Sequence, residues 1–334
     1  MNQVYVCCST FHIYISILEA YKYKKMGHES ILIFIIDKIN DAENLIPVLK
    51  NIEVFDDIVP IKGYSITDRM KKKIGFFNYM FNRAQSLVNL FEEENPELVK
   101  YKDFIEHSEL NLFEVNRTRA YFIIKYPKIF MRMHEDGYGA YSQKLSPIRI
   151  FNRKYITRFP LLKGHDEEVK EFKVQHPEKI FDKALKSKAK KMDLDALQDA
   201  LSKEEKNKIV SSFLGENTIE ESQNRALIVT QPLSEIGKMS EQKKVDIYSS
   251  MVEDAKTSGF NVYLKMHPRE LTDYKSIFGN TIKMIPKLFP LEIFNLSSDF
   301  SFKKGYTISS TALGNLKYVE KKFFFDKTGE KVYN

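Results

Sequence analysis

The sequence predicts an α/β protein of two domains, each a parallel sheet flanked by helices. Three observations carry this. Short β-rich runs alternate with segments of helical period along both halves of the chain. Several runs, such as Ser30–Ile36 (SILIFII) and Ala226–Thr230 (ALIVT), are continuously apolar, as strands covered on both faces are. With 334 residues the chain exceeds one ordinary core and fits two of about 150 residues, divided here as 1–155 and 156–334.

In the first half, residues 3–8 (QVYVCC) read as a strand. Ser9-Thr10 then opens a helix whose apolar positions are Phe11, Ile15, Leu18 and Ala20–Tyr21, with Gly27 as its stop. Ser30–Ile36 is the next strand, 41–51 a helix and 53–61 a strand. Residues 68–99 read as helical, with Arg69, Lys71, Lys72 and Lys73 beside Phe76, Phe77 and Phe81. That segment suits a packed aromatic face with a solvated basic one, or else an anionic membrane surface. A strand over 103–113 follows, and Asn116–Tyr121 starts a helix. The apolar stretch Tyr121–Met133 reads as a buried strand that ends abruptly at Glu135 and Asp136, then Gly137 and Gly139. Residues 144–165 are basic and irregular, as a crossover between domains would be.

In the second half, 166–176 holds a short strand and 182–211 a charged helical stretch with a solvated face. Ala226–Thr230, an amphipathic helix over 240–257 and Phe260–Met266 (FNVYLKM) restart the alternation. Thr281–Ile285, Asp299–Phe302 and Lys321–Phe325 complete it, the tail after Lys317 holding one last strand.

Composition excludes several classes. Hydrophobic residues at 43% and charged residues at 29% suit a globular protein. Cys7 and Cys8 are adjacent, a poor pair for a disulfide, so a reduced, cytoplasmic setting is expected. Without a Cys-x-x-Cys and with few histidines, a zinc site is not expected. No run reaches the roughly 18 apolar residues of a membrane span, and no basic region precedes the first apolar run as in a signal peptide. The net charge of +7 fits nucleic acid, an anionic membrane or an anionic substrate. Nucleic acid ranks low, because RNP-like sequence and zinc-finger spacing are missing.

Polar groups that follow strands carry the chemistry, since ligands of open α/β sheets lie outside the carboxyl ends of strands. Glu135-Asp136 follows the central apolar stretch. Thr230-Gln231-Pro232-Leu233-Ser234-Glu235 follows ALIVT, His267-Pro268-Arg269 follows FNVYLKM, and Ser309-Ser310-Thr311 follows GYTI. A Ser-Ser-Thr run opening a helix offers hydroxyls and free N–H groups to an anion, or simply an N-cap. A histidine can donate a proton or a hydrogen bond to a leaving phosphate, while Asp136 takes a proton from an attacking hydroxyl. That division of labour suits group transfer from a phosphate-linked donor. Each piece also has a plainer reading: Asp-Gly as a surface turn, a second His-Pro at His176-Pro177 as another, and His12 as a packed core residue on an apolar helix face.

The order of these motifs, Glu135-Asp136-Gly137, then His267-Pro268, then Ser309-Ser310, resembles that of the bacterial sialyltransferases. The opening VYVCCSTFHIYISILEAY and the Thr230–Glu235 stretch look most like glycosyltransferase family 52, whose members include lipooligosaccharide and capsule α2,3-sialyltransferases. The resemblance spans about residues 3–315. It implies a GT-B architecture of two Rossmann-like domains with the active site between them. It also implies CMP-sialic acid as donor, a galactose-terminated acceptor, inversion by single displacement and no metal or other cofactor. Carried over by motif, Asp136 is the general base with Glu135 beside it, and His267 stabilises or protonates the leaving phosphate. Ser309, Ser310 and Thr311 bind that phosphate, with Pro268, Thr230 and Gln231 around the donor. Glu235 and Asp246 stand in reserve as bases. Peripheral contact with the cytoplasmic membrane face and a homodimer remain open. So do a related transferase with another nucleotide sugar and a non-catalytic module that binds anionic glycan or lipid through Lys71–Lys73.

Overall fold

The computed structural model describes residues 1–66, 69–70, 82–113, 116–136, 141, 145–157, 159–161, 164–216, 219, 224–308 and 310–332. The chain divides into two compact units, Met1–Leu201 and Ser202–Asn334. The first is built on a seven-stranded sheet in the order β3-β2-β1-β4-β5-β6-β7, all pairs parallel. Its strands are β1 (Asn2–Cys7), β2 (Ser30–Ile35), β3 (Asp57–Ile61), β4 (Ser108–Leu112), β5 (Met131–His134), β6 (Val169–Val174) and β7 (Ala189–Lys191). β2 is buried at every residue, which explains its unbroken apolar run.

The second unit repeats the plan with β8 (Arg225–Val229), β9 (Asn261–Lys265), β10 (Lys283–Met284), β11 (Phe302–Ile308), β12 (Val319–Phe325) and β13 (Lys331–Val332). Their order is β10-β9-β8-β11-β12-β13, parallel except for the β12–β13 pair. Strand order reverses between β1 and β4 in one sheet and between β8 and β11 in the other. These are the switch points at which open sheets leave a crevice.

The elements differ from the sequence pattern at definite places. The domain division lies after Leu201 and not between 155 and 156, because β6 and β7 extend the first sheet. The stretch 144–165 is no crossover between domains; it belongs to the first unit and carries the helix Pro147–Phe151 and a π-helical turn to Ile156. Tyr121–Lys125 ends the helix Asn116–Lys125, so the strand after it shrinks to Met131–His134. Lys102–Glu106 is helical before β4 starts. The charged stretch 182–211 breaks into helices Lys183–Lys188, Leu194–Asp199 and Lys203–Leu214, with β7 between the first two. β11 begins at Phe302, where 299–302 had read as the strand, and the tail adds the short β13 to β12. Of the helical span 68–99, Arg83–Glu94 and Pro96–Val99 are helices, while Lys71–Lys73 and the neighbouring aromatics lie outside the described residues. Among the described residues no helix is long and apolar enough to cross a membrane.

Close packing beneath β11 fixes the strand end that leads to Ser310. A Cβ on Gly305 would stand 2.6 Å from Leu313 Cδ1 and 2.8 Å from Val319 Cγ1. Gly305→Ala is therefore expected to cost about 1–3 kcal/mol through overpacking. Urea denaturation checks this, and a wild-type midpoint would contradict the packing described.

Candidate active site

In the first unit the site is built at the carboxyl ends of β1 and β5. Ser9 caps the helix Thr10–Lys24, its hydroxyl accepting the His12 N–H at 3.2 Å, so the helix starts directly after β1 and places His12 in its first turn. His12 is fully buried, and its Nε2 lies 2.7 Å from Oδ1 of Asp136, whose side chain is 31% exposed. The packed-core reading of His12 is thus incomplete, because its polar edge meets the acidic turn. Nδ1 accepts the Cys8 N–H at 3.3 Å and stands 3.5 Å from Cys8 Sγ, which is itself 3.0 Å from Lys38 Nζ. The ring stacks on Phe113 at 4.3 Å, and Phe113 stacks on His134 at 4.8 Å.

Charge follows from this packing. Burial alone would lower the His12 pKa, but the Cys8 sulfur and the Asp136 carboxylate outweigh it and raise the value to about 9. Burial pushes Asp136 up, yet the bond and charge of His12, with Lys38 and Arg119 nearby, hold it below the usual carboxylate range. Asp136 is therefore ionised at neutral pH and able to accept a proton.

Glu135 faces elsewhere. It is buried, accepting the Gln175 N–H at 3.0 Å and further hydrogen bonds from the Gln175 amide and the Tyr141 hydroxyl, and so clamps the ends of β5 and β6 together. His134, also buried, meets Asn111 Oδ1 at 3.1 Å. Gly137 and Gly139 lie outside the described residues.

In the second unit the His-Pro turn is held from beneath. The His267 N–H donates to Glu270 Oε2 at 2.9 Å and reaches Thr230 Oγ1 at 3.3 Å, while the Thr230 hydroxyl also donates to Glu270. Tyr274 donates to the other Glu270 oxygen at 2.8 Å. The Arg269 N–H donates to His267 Nδ1 at 3.1 Å, which leaves the ring proton on Nε2. Burial, then Arg269 and the buried Lys265, push the His267 pKa down to about 4. His267 is thus a neutral hydrogen-bond donor near pH 7. Half-buried Pro268 shapes the turn, and the Gln231 N–H donates to Tyr248 Oη at 2.8 Å.

The reserve carboxylates are otherwise engaged. Glu235 receives Lys244 Nζ at 3.0 Å and the Leu271 N–H at 2.7 Å, tying the Thr230–Glu235 loop to the His-Pro turn. Asp246 is exposed on the helix Glu241–Thr257 and pairs with Gln242 at 2.7 Å. Ser310 is buried and caps the helix Thr311–Gly314 without a side-chain bond to it. That helix has four residues, so what the Ser-Ser-Thr run brings toward an anion is hydroxyls and N–H groups more than a helix dipole. Ser309 lies outside the described residues. The Asp-x-Asp at Asp193–Asp195 is exposed, with Asp193 capping the helix Leu194–Asp199 and pairing with Lys191. Sequence reasoning missed Glu270 and Lys244. The only linear signal was the spacing His267-Pro-Arg-Glu270, which sets Glu270 beneath the turn.

Comparison with known proteins shows the family of this chain. A family model described as alpha-2,8-polysialyltransferase (POLYST) matches residues 3–321. The chain belongs to the alpha-2,8-polysialyltransferase family. This family member is 26% identical over 276 residues to an uncharacterized protein of Haemophilus influenzae, covering 78% of this chain and 80% of that protein. In structure it is similar to an alpha/beta-galactoside alpha-2,3-sialyltransferase of Photobacterium phosphoreum, with TM-score 0.59 and 14% identity over 97% of this chain and 90% of that one. It is also similar to a UDP-GlcNAc 2-epimerase of Neisseria meningitidis, with TM-score 0.51 and 13% identity over 95% and 80%. The structural likenesses show the fold, two Rossmann-like units of GT-B type. With the family match, the protein is a glycosyltransferase of the sialyltransferase kind.

Lys244 supports the His-Pro turn of this polysialyltransferase-family protein. Its side chain is fully buried, with Nζ 3.0 Å from Glu235, 3.1 Å from Glu241 and 3.5 Å from Glu270. Lys244→Met should lower stability by about 3–5 kcal/mol, because it strands the buried Glu270 and the half-buried Glu235 without their cation. An unchanged urea midpoint would contradict that coupling.

Proposed function

We propose that the protein transfers a sialyl residue from CMP-sialic acid to a glycan hydroxyl, with inversion and without a metal. The observation that carries this reading is Asp136: one oxygen is fixed by His12, and the ionised carboxylate is partly open to solvent. The acceptor oxygen bonds to the anomeric carbon as the bond to the CMP phosphate breaks and its electron pair leaves with the phosphate. The acceptor proton passes to Asp136. Positive charge builds on the sugar ring and negative charge on the phosphate, where preorganised donors are worth most. His267 Nε2–H meets the departing phosphate as a neutral donor, together with the hydroxyls of Ser309, Ser310 and Thr311. Thr230 and Glu270 hold the His267 backbone; Gln231 and Pro268 shape the donor side. Glu135 keeps the Asp136 turn in place. Glu235 and Asp246 are weaker candidates for the base, given their present partners.

The acceptor proposed from the motifs is a galactose-terminated bacterial surface glycan, of lipooligosaccharide or capsule, met at the cytoplasmic membrane face. The family match favours a second reading, a glycan that ends in sialic acid. The experiment is CMP release from CMP-sialic acid with either acceptor, for wild type and Asp136→Ala. Acceptor-stimulated release is expected to fall by about 10²–10⁴-fold in the variant. Full release from the variant would move the base elsewhere. No wild-type release with either acceptor would point to another nucleotide sugar, or to a binding module acting through Lys71–Lys73.

A further inference from the structure

We infer that His12 is a positioning residue for Asp136, holding Oδ1 through Nε2 in either protonation state of the imidazole and leaving Oδ2 for the acceptor hydroxyl. This rests on the reading of Asp136 as base. Nothing in the motif order points to His12, which lies in the first helix, far from the acidic turn in sequence.

Packing fixes the imidazole plane, with Phe113 stacked 4.3 Å away at an interplanar angle of 15°. Nε2 is then committed to Asp136 Oδ1 at 2.7 Å. Behind the ring, Nδ1 has two partners of opposite kind. A neutral imidazole accepts the Cys8 N–H there at 3.3 Å. A protonated one donates to Cys8 Sγ at 3.5 Å, and that sulfur lies 3.0 Å from the Lys38 ammonium. Both states therefore keep a proton on Nε2 directed at Asp136, and the ring need not move between them.

The consequence is charge control without proton relay. Of the two Asp136 oxygens, Oδ1 has its protein partner in His12, and Oδ2 makes no hydrogen bond among the described residues. The acceptor proton goes to Oδ2 and later to water; none passes through His12. Among the described residues, the groups that face this pair are Cys8, Lys38, Arg119 and His134, from four different parts of the first unit. Lys38 and Arg119 remain when His12 is removed, and so does the burial that disfavours the Asp136 charge. Loss of the His12 bond therefore makes Asp136 easier to protonate.

The test compares pH profiles of His12→Phe and His12→Gln with wild type, on the full chain, with Asp136→Ala as reference. His12→Phe keeps the stacking on Phe113 and removes the hydrogen bond. Its kcat is expected to fall about 10²-fold, the cost of misplacing a reacting group by about an ångström. KM for the donor should stay unchanged, and the acid limb of kcat/KM should move to higher pH. His12→Gln restores a donor at the Nε2 position and should recover most of kcat. An unmoved acid limb in a folded His12→Phe enzyme would overturn the inference. So would a folded His12→Gln enzyme as inactive as Asp136→Ala, which keeps the idea testable should the Phe variant fail to fold. Activity surviving in Asp136→Ala would instead remove the base assignment itself, a separate failure.

Discussion

Parallel strand pairing is the constraint on which the rest of the molecule depends. In a parallel sheet every loop that follows a strand emerges at the same edge, so residues far apart in sequence meet without any dedicated structure. β1, β4 and β5 run side by side, which brings the first turn of the helix after β1 to the loop after β5. β8 and β9 do the same for Thr230 and His267, and β11 delivers Ser310 beside β8. The continuous apolar character of β2 and β8 is the energetic condition for this, because strands covered on both faces must be buried along their whole length.

Within that frame the two units differ in charge logic. The first surrounds a partly open carboxylate with cationic groups, and burial is overruled by the bond to His12. The second surrounds a histidine with Arg269 and Lys265, and burial and charge act together to keep it neutral. In the proposed reaction the ionised acid takes the proton of the nucleophile and the uncharged donor meets the charge that builds on the leaving group. Beneath the His-Pro turn, Glu270 and Lys244 convert a loop into a fixed platform through buried bonds to Thr230, Tyr274 and the His267 backbone.

Much of the fold was legible in the sequence because buried parallel strands leave an unambiguous mark; SILIFII and ALIVT are such marks. Tyr121–Met133 was not, since residues 120–123 of the helix are buried on every side and lose the polar face that gives a helix its period. The domain division was missed because β6 alternates charged with apolar residues and the edge strand β7 is three residues long and charged, so neither carries a continuous apolar signal. The order of Asp136, His267 and Ser310 was legible as a motif series, and the structure puts each at a strand end. His12 was hidden, because a packed histidine and a histidine bonded to a site carboxylate look alike on an apolar helix face. Glu270 and Lys244 were hidden for a related reason, as their roles lie in tertiary contacts that linear spacing does not encode.

In the proposed reaction the two units divide the chemistry, the first acting on the acceptor proton and the second on the donor phosphate. Calorimetric affinity for CMP-sialic acid tests it most directly, compared among wild type, Asp136→Ala and His267→Ala. Wild-type affinity is expected in Asp136→Ala, and a Kd weakened by about tenfold or more in His267→Ala, a loss of ~1.4 kcal/mol. Wild-type affinity in His267→Ala with loss in Asp136→Ala would contradict it.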